Sequence, residues 1–174
     1  NDNDPMDDIG HGTHVAGIIA STDNTYRGVA PDASITAVKV CNFFCQDKDI
    51  LAGMDWCISN AEKYNISTIS MSLGSDAVFG SYCDGTSSFR RPIDDAVVKN
   101  ISVVVAAGNS GNTTRISDPA CVKNATAVGS TTKADAFSSF TNRNNITDLL
   151  APGTNINSVN YQGGFNTQSG TSMA

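Results

Sequence analysis

The feature that most limits how this 174-residue chain can fold is a recurring pair of signals. Short β-branched runs break off abruptly into clusters of small polar residues. Ile66–Leu73 reads ISTISMSL and stops at Gly74; Ile101–Ala107 reads ISVVVAA and stops at Gly108-Asn109-Ser110-Gly111. Runs of this length, closed by turn residues, suit buried strands. Between them lie helical patterns. Asp49–Tyr64 places Ile50, Leu51, Met54, Ile58, Ala61 and Tyr64 at helical spacing behind an acidic start. Ile93–Lys99 is helical in composition, and His14–Ala20 (HVAGIIA) predicts a short helix. Ile35–Val40 (ITAVKV) alternates and is β-branched, which predicts a strand. Ala125–Val128 predicts another, and Leu149-Leu150-Ala151 runs into Pro152-Gly153. Strands alternating with helices predict an α/β fold of three layers, a mostly parallel central sheet with helices on both faces. Ligands of such sheets sit at the carboxyl ends of the strands. The clusters Ser72–Ser75 and Gly108–Gly111 are therefore where a site is expected.

Composition removes several classes of function. Hydrophobic residues make up 40% of the chain, enough for a core, so wholesale disorder is excluded. Eleven Lys and Arg against 17 Asp and Glu give −6 with no basic run, which does not suit a nucleic-acid groove. No apolar run is long enough to span a bilayer. The chain opens on Asn1-Asp2-Asn3-Asp4, not on a cationic-then-apolar export signal. Five cysteines (Cys41, Cys45, Cys57, Cys83, Cys121) favour disulfides and an exported protein, with at least one thiol left over. Cys41 and Cys45 have no second pair with which to build a zinc knuckle. Sequons begin at Asn65, Asn100, Asn112, Asn124 and Asn145, but a chain this rich in Asn, Ser and Thr produces several without selection.

Three segments carry groups with chemistry, each with a plain structural reading beside it. The only histidines, His11 and His14, lie in Gly10-His11-Gly12-Thr13-His14-Val15-Ala16-Gly17. Their spacing allows one helix face and a metal, but no third ligand stands at a motif spacing; a polar helix start is the plain reading. The glycines imitate a dinucleotide loop without the apolar strand that should precede it. Asn109 follows a buried strand, where its amide either donates to a developing oxyanion or caps the turn. Ser172, in Ser169-Gly170-Thr171-Ser172-Met173-Ala174, sits in small residues that can expose a nucleophile at a helix entrance, or is ordinary loop.

In order, HGTHVAG, SLG, AAGNSG, APG and GTSMA form a specific combination. It resembles the subtilisin-like serine proteases, or subtilases, from about Asp7 to Ala174. The resemblance implies a secreted serine endopeptidase acting through a Ser-His-Asp triad. His11 matches the general base, Ser172 the nucleophile and Asn109 the side-chain donor to the oxyanion, with the Ser172 N–H as second donor. His14 has no role in the triad and is assigned structural work. Ser72, Leu73 and Gly74 match the segment on which an extended peptide lies as an added strand. Ala106, Ala107 and Gly108 match the facing wall of the primary specificity pocket, which Ser117–Cys121 closes. Ala120 stands where the family often has glycine, which implies a narrower pocket. The implied partners are protein or peptide substrates, with no nucleic acid or membrane, and the chain is read as a monomer. The chemistry requires no cofactor or metal.

The sequence also departs from the family pattern. The family's Asp precedes its His, in a motif resembling Asp-Thr/Ser-Gly, and none precedes His11. Asp2, Asp4, Asp7 and Asp8 lie in a polar stretch too near His11. A chymotrypsin-like order would admit Asp94 or Asp135, but no Gly-Asp-Ser-Gly is present. Residues 1–174 are thus read as a partial catalytic domain, incomplete at both ends, with the triad Asp ahead of residue 1. Such a fragment is expected to be inactive and poorly folded alone. The loop Asp23–Arg27 is shorter than the calcium loop of bacterial members, so a structural calcium stays unassigned and Asp23-Asn24 reads as a solvated turn. The architecture implies a Cys83–Cys121 bridge; Cys41 and Cys45 can close a small loop, with Cys57 a competitor for either. Two other readings remain: a non-catalytic subtilase-like binding or scaffold domain, and a metalloprotein using His11 and His14.

Overall fold

The computed structural model describes Asp4 and residues 6–174. Its elements in chain order are α1 (His11–Ala20), α2 (Asp47–Ser59), α3 (Ala61–Tyr64), β1 (Thr68–Met71), β2 (Val78–Phe79) and α4 (Arg90–Val98). There follow β3 (Ser102–Ala106), β4 (Ile116–Ser117), β5 (Thr126–Thr131), β6 (Leu149–Pro152), β7 (Ile156–Val159) and β8 (Phe165–Gln168). Strands β1, β3, β5 and β6 form one parallel sheet in the order β1-β3-β5-β6. Two antiparallel pairs, β2-β4 and β7-β8, stand apart from it.

Strand alternation assigns the two faces of the sheet. Ile69 and Met71 of β1, Val103 and Val105 of β3 and Ala127 of β5 join Ile50, Met54 and Ile58 of α2 and Ile93 and Ala96 of α4 in one core. Each fully buried aliphatic side chain there contributes about 1.5–3 kcal/mol. On the other face Ser70, Val104 and Val128 look toward Val15, Ile18 and Ile19 of α1, across a space of about 70 Å³. This is the expected three-layer α/β arrangement.

Helix α1 begins three residues before its apolar run. The Asp7 carboxylate accepts from the N–H groups of Ile9 (3.0 Å), Gly10 (2.8 Å) and Thr13 (2.8 Å) and from the Thr13 hydroxyl (2.7 Å). These bonds satisfy donors that a helix start leaves open. Gly10 has φ 91°, and a Cβ there would strike the Tyr161 ring, so glycine is required. The expected helix over Asp49–Tyr64 divides at Asn60, whose Nδ2 donates to the Trp56 carbonyl at 2.9 Å.

One expected strand is absent. Residues 35–40 form no ladder with any described segment. Alternation fixes which side chains turn inward, and Val38 and Val40 do pack on Gly53. A strand also needs a neighbour's N–H and C=O groups, and no described segment supplies them. The β7-β8 hairpin was not expected. It lies on α1, where the Ser158 hydroxyl donates to the His14 carbonyl at 2.8 Å. No helix among the described residues is long and apolar enough to cross a membrane.

The cysteines resolve into Cys41–Cys45 and Cys83–Cys121, with Cys57 unpaired and its thiol pushed up by burial. Asp23 closes the turn expected of it, accepting from the N–H groups of Thr25 (2.8 Å) and Tyr26 (2.9 Å).

Candidate active site

The carboxyl ends of β1 and β3 lead into the two small-polar clusters, as in other parallel sheets with a site at that edge. The chain's last residues return there. The Ser72 hydroxyl donates to the Ser172 carbonyl at 2.9 Å, and the Ser172 hydroxyl donates to the Ser72 carbonyl at 3.3 Å. Residues 100 positions apart are thereby clamped face to face.

Asn109 is held by the oxygen of its amide. Oδ1 accepts from the Thr171 N–H at 2.8 Å and the Thr171 hydroxyl at 2.9 Å. Its Nδ2 therefore remains a donor without an acceptor among the described residues, and so does the Ser172 N–H. Both groups lie on a cavity of about 500 Å³, lined by Leu73–Asp76, Ala106, Gly108–Ser110, Ser117, Thr171 and Ser172. Gly108 has φ 106°, and a Cβ there would run into Ser117 Oγ and Asn142 Nδ2.

The 108–112 turn is shaped by a residue absent from the sequence reading. Asn142 is fully buried. Its Oδ1 accepts from the Ser110 N–H (3.1 Å), the Ser110 hydroxyl (2.9 Å) and the Asn112 N–H (2.9 Å). Its Nδ2 donates to Ser117 Oγ at 3.3 Å. Satisfying every polar group of a buried amide fixes the turn in one conformation. Thr171, which aims Asn109, was also missed. Neither has a local sequence signal, because each acts on partners at least 25 residues away.

The expected substrate residues divide. Leu73, Gly74, Ala106 and Gly108 line the cavity. Ser72 lines the smaller space beneath α1 instead, and Ala107 is buried behind the wall with its N–H on the Val128 carbonyl and its carbonyl on the Ser117 N–H. Ala120 is likewise buried and is not among the residues that line the cavity.

His11 opens α1. It makes no hydrogen bond with Ser172, whose hydroxyl is engaged by Ser72, and no described carboxylate hydrogen-bonds its ring. Burial holds its imidazole below the usual range; the charge of Asp7 opposes this and His14 adds to it. His14 is fully buried, with Nε2 3.3 Å from the Asn166 carbonyl. Of the carboxylates weighed for the triad, Asp7 caps α1 and Asp94 is held by Asn124 (2.8 Å) and Arg90 (3.4 Å). Asp2 lies outside the described residues. Among the described residues, the one cluster with metal-ligand spacing is Cys83, Asp118 and Cys121, whose sulfurs are bonded to each other. Burial pushes the Asp118 carboxyl up, against a 2.6 Å hydrogen bond from Ser87, and Asp47 adds to the rise.

Residues 1–174 match the Subtilase family. The chain is 38% identical over 176 residues to alkaline serine exoprotease A of Vibrio alginolyticus, covering 100% of this chain and 30% of that protein. It is 40% identical over 182 residues to subtilisin-like protease 3 of Arthroderma benhamiae, covering 99% and 42%. A crystal structure of a cold adapted subtilisin-like serine proteinase superposes with a TM-score of 0.85 at 38% identity, over 100% of this chain and 60% of that one. The chain belongs to the subtilase family. It spans less than half the length of these two relatives.

Proposed function

We propose that residues 1–174 form part of the catalytic domain of a serine endopeptidase. One observation carries the reading. Thr171 ties the oxygen of the Asn109 amide and leaves Nδ2 free, and Asn109 and Ser172 both line one cavity of about 500 Å³.

In the proposed reaction an extended peptide lies along Ser72–Gly74, and its scissile carbonyl enters between Ser172 Oγ and Asn109 Nδ2. His11 takes the Ser172 proton as Oγ attacks, then gives it to the leaving amine. The oxyanion receives two hydrogen bonds, from Asn109 Nδ2 and the Ser172 N–H. Donors already in place when charge develops need no reorganisation, which is the main source of rate in such sites. Attack requires the Ser172 hydroxyl to leave the Ser72 carbonyl and turn to His11. This chemistry draws only on side chains and backbone, and asks for no cofactor. Two disulfides and the exoprotease relative support action outside the cell.

The test uses the complete polypeptide as encoded. A fluorophosphonate should label Ser172 with loss of peptide hydrolysis, and Ser172→Ala should abolish both. A folded protein that binds peptides but neither reacts nor hydrolyses them is a binding domain, and the endopeptidase reading fails.

A further inference from the structure

Four of the five Asn-x-Ser/Thr sequons share one place in the fold. Asn65 precedes β1, Asn100 precedes β3, Asn124 precedes β5 and Asn145 precedes β6, each by two to four residues. These are the four strands of the parallel sheet, so the sequons line its amino-terminal edge, at the end away from Ser72–Gly74 and Gly108. Strand β3 alone separates the two ends by about 13 Å. Asn65 and Asn100 stand on neighbouring strands, whose sequons meet where the Ser102 N–H donates to the Ser67 carbonyl at 3.0 Å. The middle residue of each sequon turns inward: Ile101 and Ala125 belong to the core, and Ile66 and Ile146 pack against it. The asparagine is exposed in all four.

The side chains separate acceptors from groups the fold uses. The amides of Asn65, Asn100 and Asn145 have no hydrogen bond among the described residues, whereas Asn124 Nδ2 donates to Asp94 at 2.8 Å. Asn112 lies at the other end of the sheet, in the 108–112 turn, where its Oδ1 accepts from the Thr114 N–H at 3.0 Å. The left-handed backbone of Asn65 (φ 53°) and Asn100 (φ 59°) explains an asparagine at those two turns. It does not explain Ser67 and Ser102, whose exposed hydroxyls bond nothing among the described residues. Nor does it explain Asn145, which lacks that backbone. An exposed amide with a hydroxyl two residues on is what an N-glycan acceptor requires. Tyr64, beside Asn65, stacks on Trp56 with ring centroids 5.4 Å apart, and both rings are exposed, so a sugar there has an apolar face to cover. We propose that Asn65, Asn100 and Asn145 accept N-linked oligosaccharides on the amino-terminal edge of the sheet. The donor is a lipid-linked oligosaccharide. Nδ2 bonds to C1 of its first sugar, the bond from C1 to the lipid phosphate oxygen breaks, the amide gives up one proton and the lipid phosphate departs. Carbohydrate at this edge solubilises the surface and leaves the cavity beside Ser172 open.

The experiment is peptide-level mass spectrometry on the complete polypeptide as produced by the cells that encode it. Peptides carrying Asn65, Asn100 and Asn145 should bear an oligosaccharide on the asparagine, and the peptide carrying Asn112 should bear none. Ser67→Ala and Ser102→Ala, made in the same cells, should each remove one glycan. Neither hydroxyl makes a contact the fold needs, so urea midpoints of the two variants, compared after the glycans are stripped, should match the parent's. Asn145→Gln should remove the third glycan. Bare asparagines at all three positions overturn the inference, and a bare asparagine at one removes that residue from it. Sugar on Asn112 overturns the confinement to the far edge. Sugar that persists on Asn65 in Ser67→Ala overturns recognition through the sequon. The readout does not involve Ser172, so the endopeptidase reading stands or falls separately.

Discussion

Thr171 grips Asn109 twice, through its N–H at 2.8 Å and its hydroxyl at 2.9 Å, both on the same amide oxygen. The amide is therefore aimed from the segment that carries Ser172. Thr171→Val keeps the N–H contact and the shape but removes the hydroxyl. One hydrogen bond of net worth about 0.5–1.5 kcal/mol predicts a fall in kcat of roughly two- to tenfold with KM little changed. Asn109→Leu should cost far more; the loss known for the side-chain donor of subtilisin, about 10²–10³ in kcat, sets the scale. Steady-state kinetics decide. A larger effect on KM than on kcat would mean that Asn109 binds the ground state instead.

The His11 ring lacks a carboxylate partner among the described residues, and its burial favours the neutral form. While no carboxylate holds the ring it should titrate below 6.5, seen in the Cε1 proton shift by NMR. The sign for stability follows. Below 6.5 the unfolded chain binds more protons than the folded one, so stability falls as pH drops from 6.5 toward the lowered folded value. A titration above 6.5 would contradict the burial argument and report a carboxylate on the ring.

How much of this was legible in the sequence depends on the range over which each feature is encoded. Helix α1 and strands β1, β3 and β5 declare themselves through local periodicity, and they appear within a few residues of expectation. Residues 35–40 carry the strand pattern without the partner that makes a strand, because pattern encodes burial and not pairing. The β7-β8 hairpin is built from Asn157, Ser158, Asn166 and Thr167 among others, a run too polar to signal a strand. At the site, Asn109 and Ser172 stand in recognisable segments. Thr171 and Asn142 act across the fold, and nothing near them in the chain says so.

Asp7 converts a polar approach into a helix start. Burial pushes its carboxyl up, but hydrogen bonds from Gly10, Thr13 and Ile9 outweigh that and bring it from 3.8 to about 2. Its contribution is present above 3.8 and is lost as pH falls through about 2. The group is partly exposed, so solvent screening reduces what the shift alone would imply. Asp7→Ala in the complete polypeptide should cost about 1 kcal/mol at pH 7, as helix caps do. Urea midpoints of parent and variant should converge as pH falls to 2. A gap that stayed constant with pH would assign the effect to packing and not to the carboxylate.

The two disulfides should differ in weight. Cys83–Cys121 joins residues 38 apart and ties the segment after β2 to the strand end that supplies Ser117 to the cavity wall. Both cysteines are buried, and the Cys83 N–H also donates to the Cys121 carbonyl at 3.0 Å. Cys41–Cys45 closes a loop of separation 4 whose Phe43 and Phe44 are exposed. Cross-linking a longer loop removes more freedom from the unfolded chain. Replacing Cys83 and Cys121 together by Ala should therefore destabilise by about 2–4 kcal/mol, and should raise KM as Ser117 loses its anchor. Replacing Cys41 and Cys45 should cost less and leave KM alone. Denaturant midpoints and KM values for the two double variants give the comparison. Equal losses of stability would show that loop length does not govern these bridges, and an unchanged KM without Cys83–Cys121 would detach that bridge from the pocket.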